Sequence, residues 1–426
     1  MLRGICILVV ALACSCSALS DELLTPREQA FLTRHWPGII PPQGGAPAAY
    51  SELERSLSPA DCGACHPREF EDWRSSLHSR TMGPGVLGQL LGMGDDPAST
   101  RMCGTCHAPN AEQQAWLAVD AGPESGFRAN PHFDPLLRRQ GIVCAACHVR
   151  QHRRYGPPPA DAPGVVGRTG ADGPHGGFTA ESAFTRSAFC STCHQFTEDD
   201  RALNGKLLEN TYEEWKASRY PAEGVQCQTC HMPGRRHLWR GIHDPGMVRQ
   251  GVTVSVDVEQ FPRRPGDTVK ARVTIANTGT GHHFPTYMTP KVFVRGYLVD
   301  EQGKAFPGTL QEAVIGREAT PDLSREIYDT RIPAHGSLTV IYEEAARRAG
   351  LRLKVEIEVH PDHFYVRFFE NYLSRALEQK ARGLIEAALA QARETPFTLF
   401  ERTFPLSLEN KEDGGASAAA RERGLE

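Results

Sequence analysis

Ten of the thirteen cysteines in this 426-residue chain form five pairs that share one local pattern, Cys-x-x-Cys followed at once by histidine. Motifs 1 to 5 consist of Cys62, Cys65 and His66; Cys103, Cys106 and His107; Cys144, Cys147 and His148; Cys190, Cys193 and His194; and Cys227, Cys230 and His231. Two thiols at this spacing can add to the two vinyl groups of a porphyrin, and the adjacent imidazole then ligates the iron as the proximal ligand. The pattern therefore predicts five covalently bound hemes c.

Other uses of paired cysteines fit the pattern less well. A zinc site has no need of a third ligand placed directly after the second cysteine. A thioredoxin-like redox site requires one motif beside a βαβ pattern, whereas five motifs are present without such a pattern. Disulfides are the ordinary fate of cysteines in exported proteins, but the regular placement of these pairs argues for heme instead.

Twelve histidines remain after the five proximal ones, which is enough for a second imidazole on each iron. The candidates for this distal position are His78, His175, His237, His243 and His282. His132 and His152 are reserves, whereas His35, His335, His360 and His363 are expected at the surface. An alternative type of ligand, which would raise the reduction potential, is the thioether of a methionine, from Met82, Met93, Met102, Met232 or Met247.

An internal echo bears on catalysis. The pattern W-x-x-S-x-H that begins at Trp73 and ends at His78 recurs from Trp215 to residue 220, where Tyr220 replaces the histidine. One interpretation is that the iron lacks a second ligand here and can therefore bind small molecules. The other reading is that Tyr220 only packs against its neighbours.

The spacing of the motifs also indicates how the chain is built. Fewer than about 40 residues are available per heme between residues 62 and 243, too few for separate apolar cores, so the macrocycles themselves should form the core. After residue 251, β-branched residues alternate with polar ones at 252–258, 268–277, 292–300, 338–342 and 351–359, which predicts an antiparallel β-sandwich. Residues 369–395 show a helical pattern that Pro396 ends.

The predicted fold class is therefore α+β: a mostly helical and loop-rich multiheme domain, an antiparallel β-sandwich domain and a C-terminal helix. We expect a signal peptide at 1–20, a lead segment at 21–60, a pentaheme domain at 61–249, the sandwich at 250–367, a helical segment at 368–408 and a disordered tail at 409–426.

The N-terminus and the composition indicate where the protein works. Arg3 precedes an apolar run that is too short to span a membrane, as in an export signal. Cys14 and Cys16 leave lipid anchoring open, although the upstream residues match a lipoprotein signal weakly. The formal charge of −4 argues against nucleic-acid binding. The mature chain should be extracytoplasmic, without a transmembrane span; the number of subunits stays open.

Beyond the motifs, the chain resembles the multiheme family that includes the tetraheme, cytochrome c-554-like partner of hydroxylamine oxidoreductase. The resemblance covers about residues 60 to 290 and rests on motif 1 with the segment 73–78, on 141–148, on 224–233 and on the N-x-G-x-G-H-x-x-P-T element at 277–286. It implies that His78 is a distal ligand and that His282 matches the histidine of the β-domain element. The chain departs from the family in having five motifs instead of four, in Tyr220, and in Tyr287 where related sequences often have glycine.

We expect electron transfer between periplasmic or membrane redox proteins through mostly bis-histidine hemes. The alternative is a multiheme oxidoreductase that acts on nitrite, hydroxylamine or a similar nitrogen or sulfur compound at one five-coordinate heme. A third interpretation is that the β domain is an adhesion or assembly module and that the hemes are structural. Such a protein would need only one or two hemes, so five argue against it.

Overall fold

The computed structural model describes residues 24–120, 126–170, 173–197 and 202–406. The expected signal peptide and C-terminal tail lie outside these residues. The described α-helices are α1 (Pro26–His35), α2 (Glu52–Arg55), α3 (Pro59–Gly63), α4 (Pro67–Ser75), α5 (Pro84–Gly92), α6 (Pro97–His107), α7 (Pro135–Arg139), α8 (Cys144–His148), α9 (Ala188–His194), α10 (Thr211–Lys216), α11 (Cys227–His231), α12 (Pro245–Gly251), α13 (His363–Leu373) and α14 (Gln379–Arg393).

The strands fall into short pieces before residue 208 and long ones after residue 251. The short strands are β1 (Trp116–Ala118), β2 (Phe127–Ala129), β3 (Val149–Arg150), β4 (Arg153–Gly156), β5 (Gly167–Thr169), β6 (Phe178–Ala180), β7 (Ala202–Leu203) and β8 (Lys206–Leu207). The long region contains β9 (Val252–Gln260), β10 (Thr268–Asn277), β11 (Lys291–Val299), β12 (Gln311–Ala319), β13 (Glu326–Asp329), β14 (Ser337–Ala345), β15 (Arg352–His360) and β16 (Phe397–Pro405).

The motif region consists of short helices, and four of the motifs end a helix. The motif histidine is the last residue of α6, α8, α9 and α11, whereas α3 ends inside motif 1 at Gly63. Residues three apart lie on one face of a helix, so one turn presents both thiols of a motif to the same side. Helix formation at the motif thus places the thiols and the imidazole together.

The apolar clusters of the motif region are small. Two of them, around Phe31 and around Ile40, contain six buried residues each, whereas the sandwich core contains 21. Clusters of this size bury too little apolar surface to stabilise a domain by themselves. Bound groups are therefore needed to complete the core of the motif region.

The long strands form the antiparallel sandwich that the alternating pattern predicts. One sheet has the order β14-β10-β9 and the other β13-β12-β11-β15-β16. Alternate residues of β10, from Val269 to Ile275, are buried and pack against alternate residues of β15, from Leu353 to Val359. The predicted α+β fold class is confirmed.

The C-terminal segment differs from the expectation of a helix over 368–408. The helical part begins earlier, at His363, and ends at Arg393, and β16 then pairs with β15 at the edge of the larger sheet. Phe397, Phe400 and Phe404 pack against the sandwich core. The helical periodicity of the preceding residues concealed this strand, because its burial depends on a partner strand that lies elsewhere in the chain. None of the described helices is long and apolar enough to cross a membrane.

Candidate functional site

Four of the five motif histidines have Nδ1 held by an oxygen atom. Nδ1 lies 2.8 Å from the Thr81 carbonyl for His107, 2.8 Å from the Tyr155 carbonyl for His148, 2.7 Å from the Arg240 carbonyl for His231 and 2.9 Å from the Tyr287 hydroxyl for His194. A carbonyl accepts the Nδ1 hydrogen and leaves the lone pair on Nε2, the arrangement found around metal-ligating histidines. The fifth, His66, is exposed.

Three motif histidines each face a second histidine from a distant part of the chain. The ring centroids are 6.4 Å apart for His194 and His78, 6.1 Å for His148 and His237, and 6.4 Å for His231 and His282. All three second histidines are distal candidates from the sequence.

The spacing of these pairs fits two ligands on opposite sides of one metal ion. With roughly 2.0 Å from each nitrogen to the ion and roughly 1.1 Å from nitrogen to ring centre, opposed imidazoles have centroids roughly 6 Å apart. Motif 3, 4 and 5 residues therefore fit hemes c with two histidine ligands each.

A pair outside the motifs shows that spacing alone is not sufficient. The rings of His360 and His363 lie 6.3 Å apart, but Phe293 packs against both, at 4.7 and 5.4 Å. Neither histidine belongs to a motif, so this pair has no means of holding a heme covalently.

Burial keeps the facing histidines uncharged. Desolvation lowers the pKa of His78 to about 3 and the pKa of His148 and of His194 to about 4. Desolvation also lowers the pKa of His237 and of His282. The neutral imidazole is the form that ligates a metal, so these rings are in the required state at neutral pH.

The sequence predicts a helix over 68–78 that His78 closes, but His78 lies just beyond the helix that is observed. That helix, α4, ends at Ser75, and His78 begins a 3₁₀ turn, His78–Arg80. Gly141 has a φ of 68°, and a Cβ there would collide with the Thr81 hydroxyl and the His78 carbonyl. Only glycine allows the segment before motif 3 to approach this turn so closely.

The two tryptophans of the repeated sequence pattern, Trp73 and Trp215, make the same kind of contact in the structure. The Trp73 indole donates to the Ile142 carbonyl at 2.7 Å, and the Trp215 indole donates to the Val225 carbonyl at 3.1 Å. Each acceptor lies two residues before the first cysteine of a motif, motif 3 in one case and motif 5 in the other. The tryptophan thus anchors the start of a motif in both copies.

Tyr220 is the last residue of the second W-x-x-S pattern, where the first pattern has His78. Its ring lies 5.4 Å from that of His335, and a Cβ on Gly281 would collide with Tyr220 and Trp215. The β domain therefore covers Tyr220, as the packing interpretation expects.

His282 reaches motif 5 from the β domain. The side-chain amide of Asn277 and the hydroxyl of Thr280 both donate to the His282 carbonyl, at 2.8 and 2.7 Å. Glu214 of α10 holds the same loop from the other side, because it accepts from the His283 amide at 3.0 Å and from the Thr286 hydroxyl at 2.7 Å. The N-x-G-x-G-H-x-x-P-T element is thus a device for docking the two domains.

The remaining distal candidates behave differently from one another. His175 has Nδ1 3.0 Å from the Gly177 carbonyl, and its backbone amide donates to Glu54 of α2, the helix before motif 1. His243 instead uses Nε2 to bond Asp362 at 3.0 Å. The nitrogen that would ligate iron is therefore engaged, so the structure does not support His243 as a ligand.

Motif 2 has no second histidine facing it among the described residues. Beside His107 lie the carbonyl of Thr81 and the buried Met82, which packs in one cluster with Cys103. Met82 is a thioether candidate from the sequence.

Trp239 is a residue of the site that no sequence motif marks. Its ring lies 4.6 Å from that of His78 and 5.1 Å from that of His237, so it touches the distal candidates of motifs 4 and 3. Its φ of 41° is rare for a bulky residue and often marks a functional position. No periodic pattern signals such a residue, because its role depends on two partners far away in sequence.

The motifs contact one another. The cysteine side chains of different motifs lie next to each other in three places, Cys62 beside Cys144, Cys106 beside Cys193, and Cys190 beside Cys227. Ser187, before motif 4, accepts from the Cys227 amide at 2.9 Å and donates through its hydroxyl to Gln226 at 2.8 Å. All ten motif cysteines are free of disulfides. Motifs 1 and 3, 2 and 4, and 4 and 5 are therefore neighbours.

Comparison with known proteins agrees with this architecture. Residues 61–125 match the family described as cytochrome c554 and c-prime. The fold is similar to that of a penta-heme cytochrome c552 from Thermochromatium tepidum, with a TM-score of 0.54 and 18% identity over 83% of this chain and 100% of that chain. No curated protein matches the chain. At this identity the structural match shows the fold alone, and the family match covers residues 61–125, which contain motifs 1 and 2. Both findings support the resemblance that the sequence predicts.

Proposed function

We propose that the chain is an extracytoplasmic electron-transfer protein that holds five hemes c, most of them with two histidine ligands. The observation that carries the proposal is the set of three pairs in which a motif histidine faces a histidine from a distant segment at 6.1–6.4 Å. Two histidine ligands occupy both axial positions of an iron, which favours electron transfer over substrate binding.

The residues that would hold the hemes are the ten motif cysteines and five motif histidines. His78, His237 and His282 would be the second ligands at motifs 4, 3 and 5. His175 would serve motif 1, because Glu54 ties its loop to α2, the helix that precedes α3 and motif 1. Heme c, when bound, supplies reversible one-electron oxidation and reduction of its iron.

The contacts between motifs support a role in moving electrons over a distance. Adjacent thiols join motif 1 to 3, 2 to 4 and 4 to 5, and Trp239 joins the distal candidates of motifs 3 and 4. All five motifs thus belong to one connected set. The partners would be periplasmic or membrane redox proteins, since the N-terminus has the features of an export signal.

Two measurements test the proposal on the full chain expressed with export and heme-attachment machinery. Intact mass should show five added heme groups on the processed polypeptide. A mass without them would refute the proposal. Electron paramagnetic resonance of the oxidised protein should show mostly low-spin iron, and mostly high-spin iron would refute the histidine pairs.

Motif 2 supports a second candidate function, that of an oxidoreductase for nitrite, hydroxylamine or a similar compound. The observation in its favour is that no second histidine faces His107 among the described residues. Carbon monoxide added to the reduced protein should then shift the spectrum of about one heme in five, and turnover of nitrite or hydroxylamine should follow. A spectrum that carbon monoxide leaves unchanged would exclude this candidate.

A further inference from the structure

The four held motif histidines differ in the kind of oxygen that faces Nδ1. For His107, His148 and His231 it is a backbone carbonyl, which no substitution of a side chain can remove. For His194 it is the Tyr287 hydroxyl at 2.9 Å, a side-chain atom delivered by the β domain.

The two kinds of oxygen differ in strength as acceptors. A backbone carbonyl attracts the Nδ1 hydrogen more strongly than a neutral phenol oxygen does, and so gives the imidazole more anionic character. A more basic imidazole stabilises the oxidised iron, because hydrogen bonding behind an axial ligand tunes the metal it binds. A phenol in this place leaves the imidazole less basic and favours the reduced iron.

The surroundings hold the Tyr287 hydroxyl in place. The Thr211 hydroxyl, which lies close to the Tyr287 phenol, donates to Glu209 at 2.7 Å and lies 2.8 Å from the Thr286 hydroxyl. Thr286 in turn donates to Glu214 at 2.7 Å. The phenol is thus fixed by the same bonds that dock the β domain.

We propose that Tyr287 is a positioning residue that orients His194 and makes the heme at motif 4 easier to reduce than the hemes at motifs 3 and 5. This inference rests on the proposed function, since it requires iron bound to Nε2 of His194. The β domain would then set the potential of one heme through a side chain, besides supplying the ligand of another.

The test is a spectroelectrochemical titration of the pentaheme protein with a matched pair of variants. Tyr287→Phe removes the acceptor of His194. Tyr155→Phe also removes a tyrosine hydroxyl but keeps the backbone carbonyl of residue 155 that accepts the His148 hydrogen. A His78→Met variant identifies the motif 4 component, because methionine as second ligand raises its potential.

At the wild-type midpoint of the motif 4 component, Tyr287→Phe should raise the ratio of reduced to oxidised heme about fivefold, the factor that one net hydrogen bond supplies. Tyr155→Phe should leave every component within the error of the titration. Should Tyr287→Phe fail to fold, Thr211→Val should shift the same component in the same direction by a smaller factor.

Five hemes by mass with an unshifted motif 4 component in the folded variant would overturn the role of Tyr287 and leave the proposed function intact. An equal shift in Tyr155→Phe would also overturn it. A wild-type mass that lacks the five hemes would instead overturn the proposed function and, with it, this inference.

Discussion

His231 and His282 face each other with ring centroids 6.4 Å apart, although one belongs to a heme motif and the other to a loop of the β-sandwich. The β domain therefore places a histidine beside a motif of the other domain. If iron joins the two rings, each domain supplies one ligand, and heme attachment and domain docking become coupled.

Replacement of His282 tests this coupling. His282→Ala should keep five hemes by mass but convert about one in five to a high-spin form that binds carbon monoxide, because one iron loses its second ligand. Electron paramagnetic resonance and the carbon monoxide difference spectrum measure the change. His283→Ala is the matched control, because the neighbouring His283 side chain lies against Glu214 and is not one of the paired histidines. A fully low-spin His282→Ala protein would contradict the pairing.

Glu214 should be the carboxylate on which domain docking depends. It is buried and joins Arg331, the His283 amide and the Thr286 hydroxyl. Glu214→Ala should lower the free energy of unfolding by about 1.5–3 kcal/mol, because its buried donors lose a charged acceptor while Arg331 keeps its pair with Asp329. Urea titration followed by circular dichroism measures the loss. Glu213→Ala, on the same helix but in an exposed pair with Lys216, should cost less than about 1 kcal/mol. Equal effects would show that Glu214 has no special role.

Trp239 should affect two hemes at once. Trp239→Leu removes the ring that packs against His78 and His237, so the spin state of the motif 3 and motif 4 hemes should change while the other three stay as they are. Low-temperature magnetic circular dichroism resolves the low-spin and high-spin fractions. Trp116→Leu, in the short strand β1, serves as the control. A change spread over all five hemes would point to general unfolding instead.

The two tryptophans of the repeat provide a comparison within one chain. Trp73→Phe and Trp215→Phe should each cost about 1–2 kcal/mol of unfolding free energy, because each leaves a carbonyl without its indole donor. Only Trp73→Phe should also raise the high-spin fraction, since its segment leads to His78 and the other leads to Tyr220. High-spin iron in Trp215→Phe alone would reverse this interpretation.

Glu28 should contribute a pH-dependent part of the stability. Burial raises its pKa, but hydrogen bonds from Thr25, Arg186 and Ser182 outweigh burial and hold the pKa at about 2, below the ordinary 4.5. The stabilisation is therefore complete above pH 4.5 and is lost as the pH falls through about 2.

Glu28→Gln should remove about 2–3 kcal/mol at pH 7 and flatten the acid limb of the stability curve, measured by urea unfolding between pH 7 and pH 3. Glu71→Gln, in an exposed pair with Arg74, is the control and should change little. An unchanged acid limb in Glu28→Gln would exclude this role.

The motifs and the alternating strands could be predicted from the sequence because both depend on neighbours along the chain. Two thiols three residues apart and a histidine directly after them meet on one helical turn, whatever the rest of the chain does. Alternation in β10 likewise predicted its buried face, since one side of a strand packs in the core.

The pairing of histidines was decided by the tertiary structure alone. His78, His237 and His282 could be named as candidates from the sequence, but which motif each faces depends on packing between distant segments, and the same holds for Trp239 and Tyr287. His243 was also a candidate from the sequence, but its Nε2 bonds Asp362, a residue that lies far away in the chain. The type and number of heme-binding motifs are local properties of the chain, whereas the second ligand of each iron is a long-range contact that only the folded structure creates.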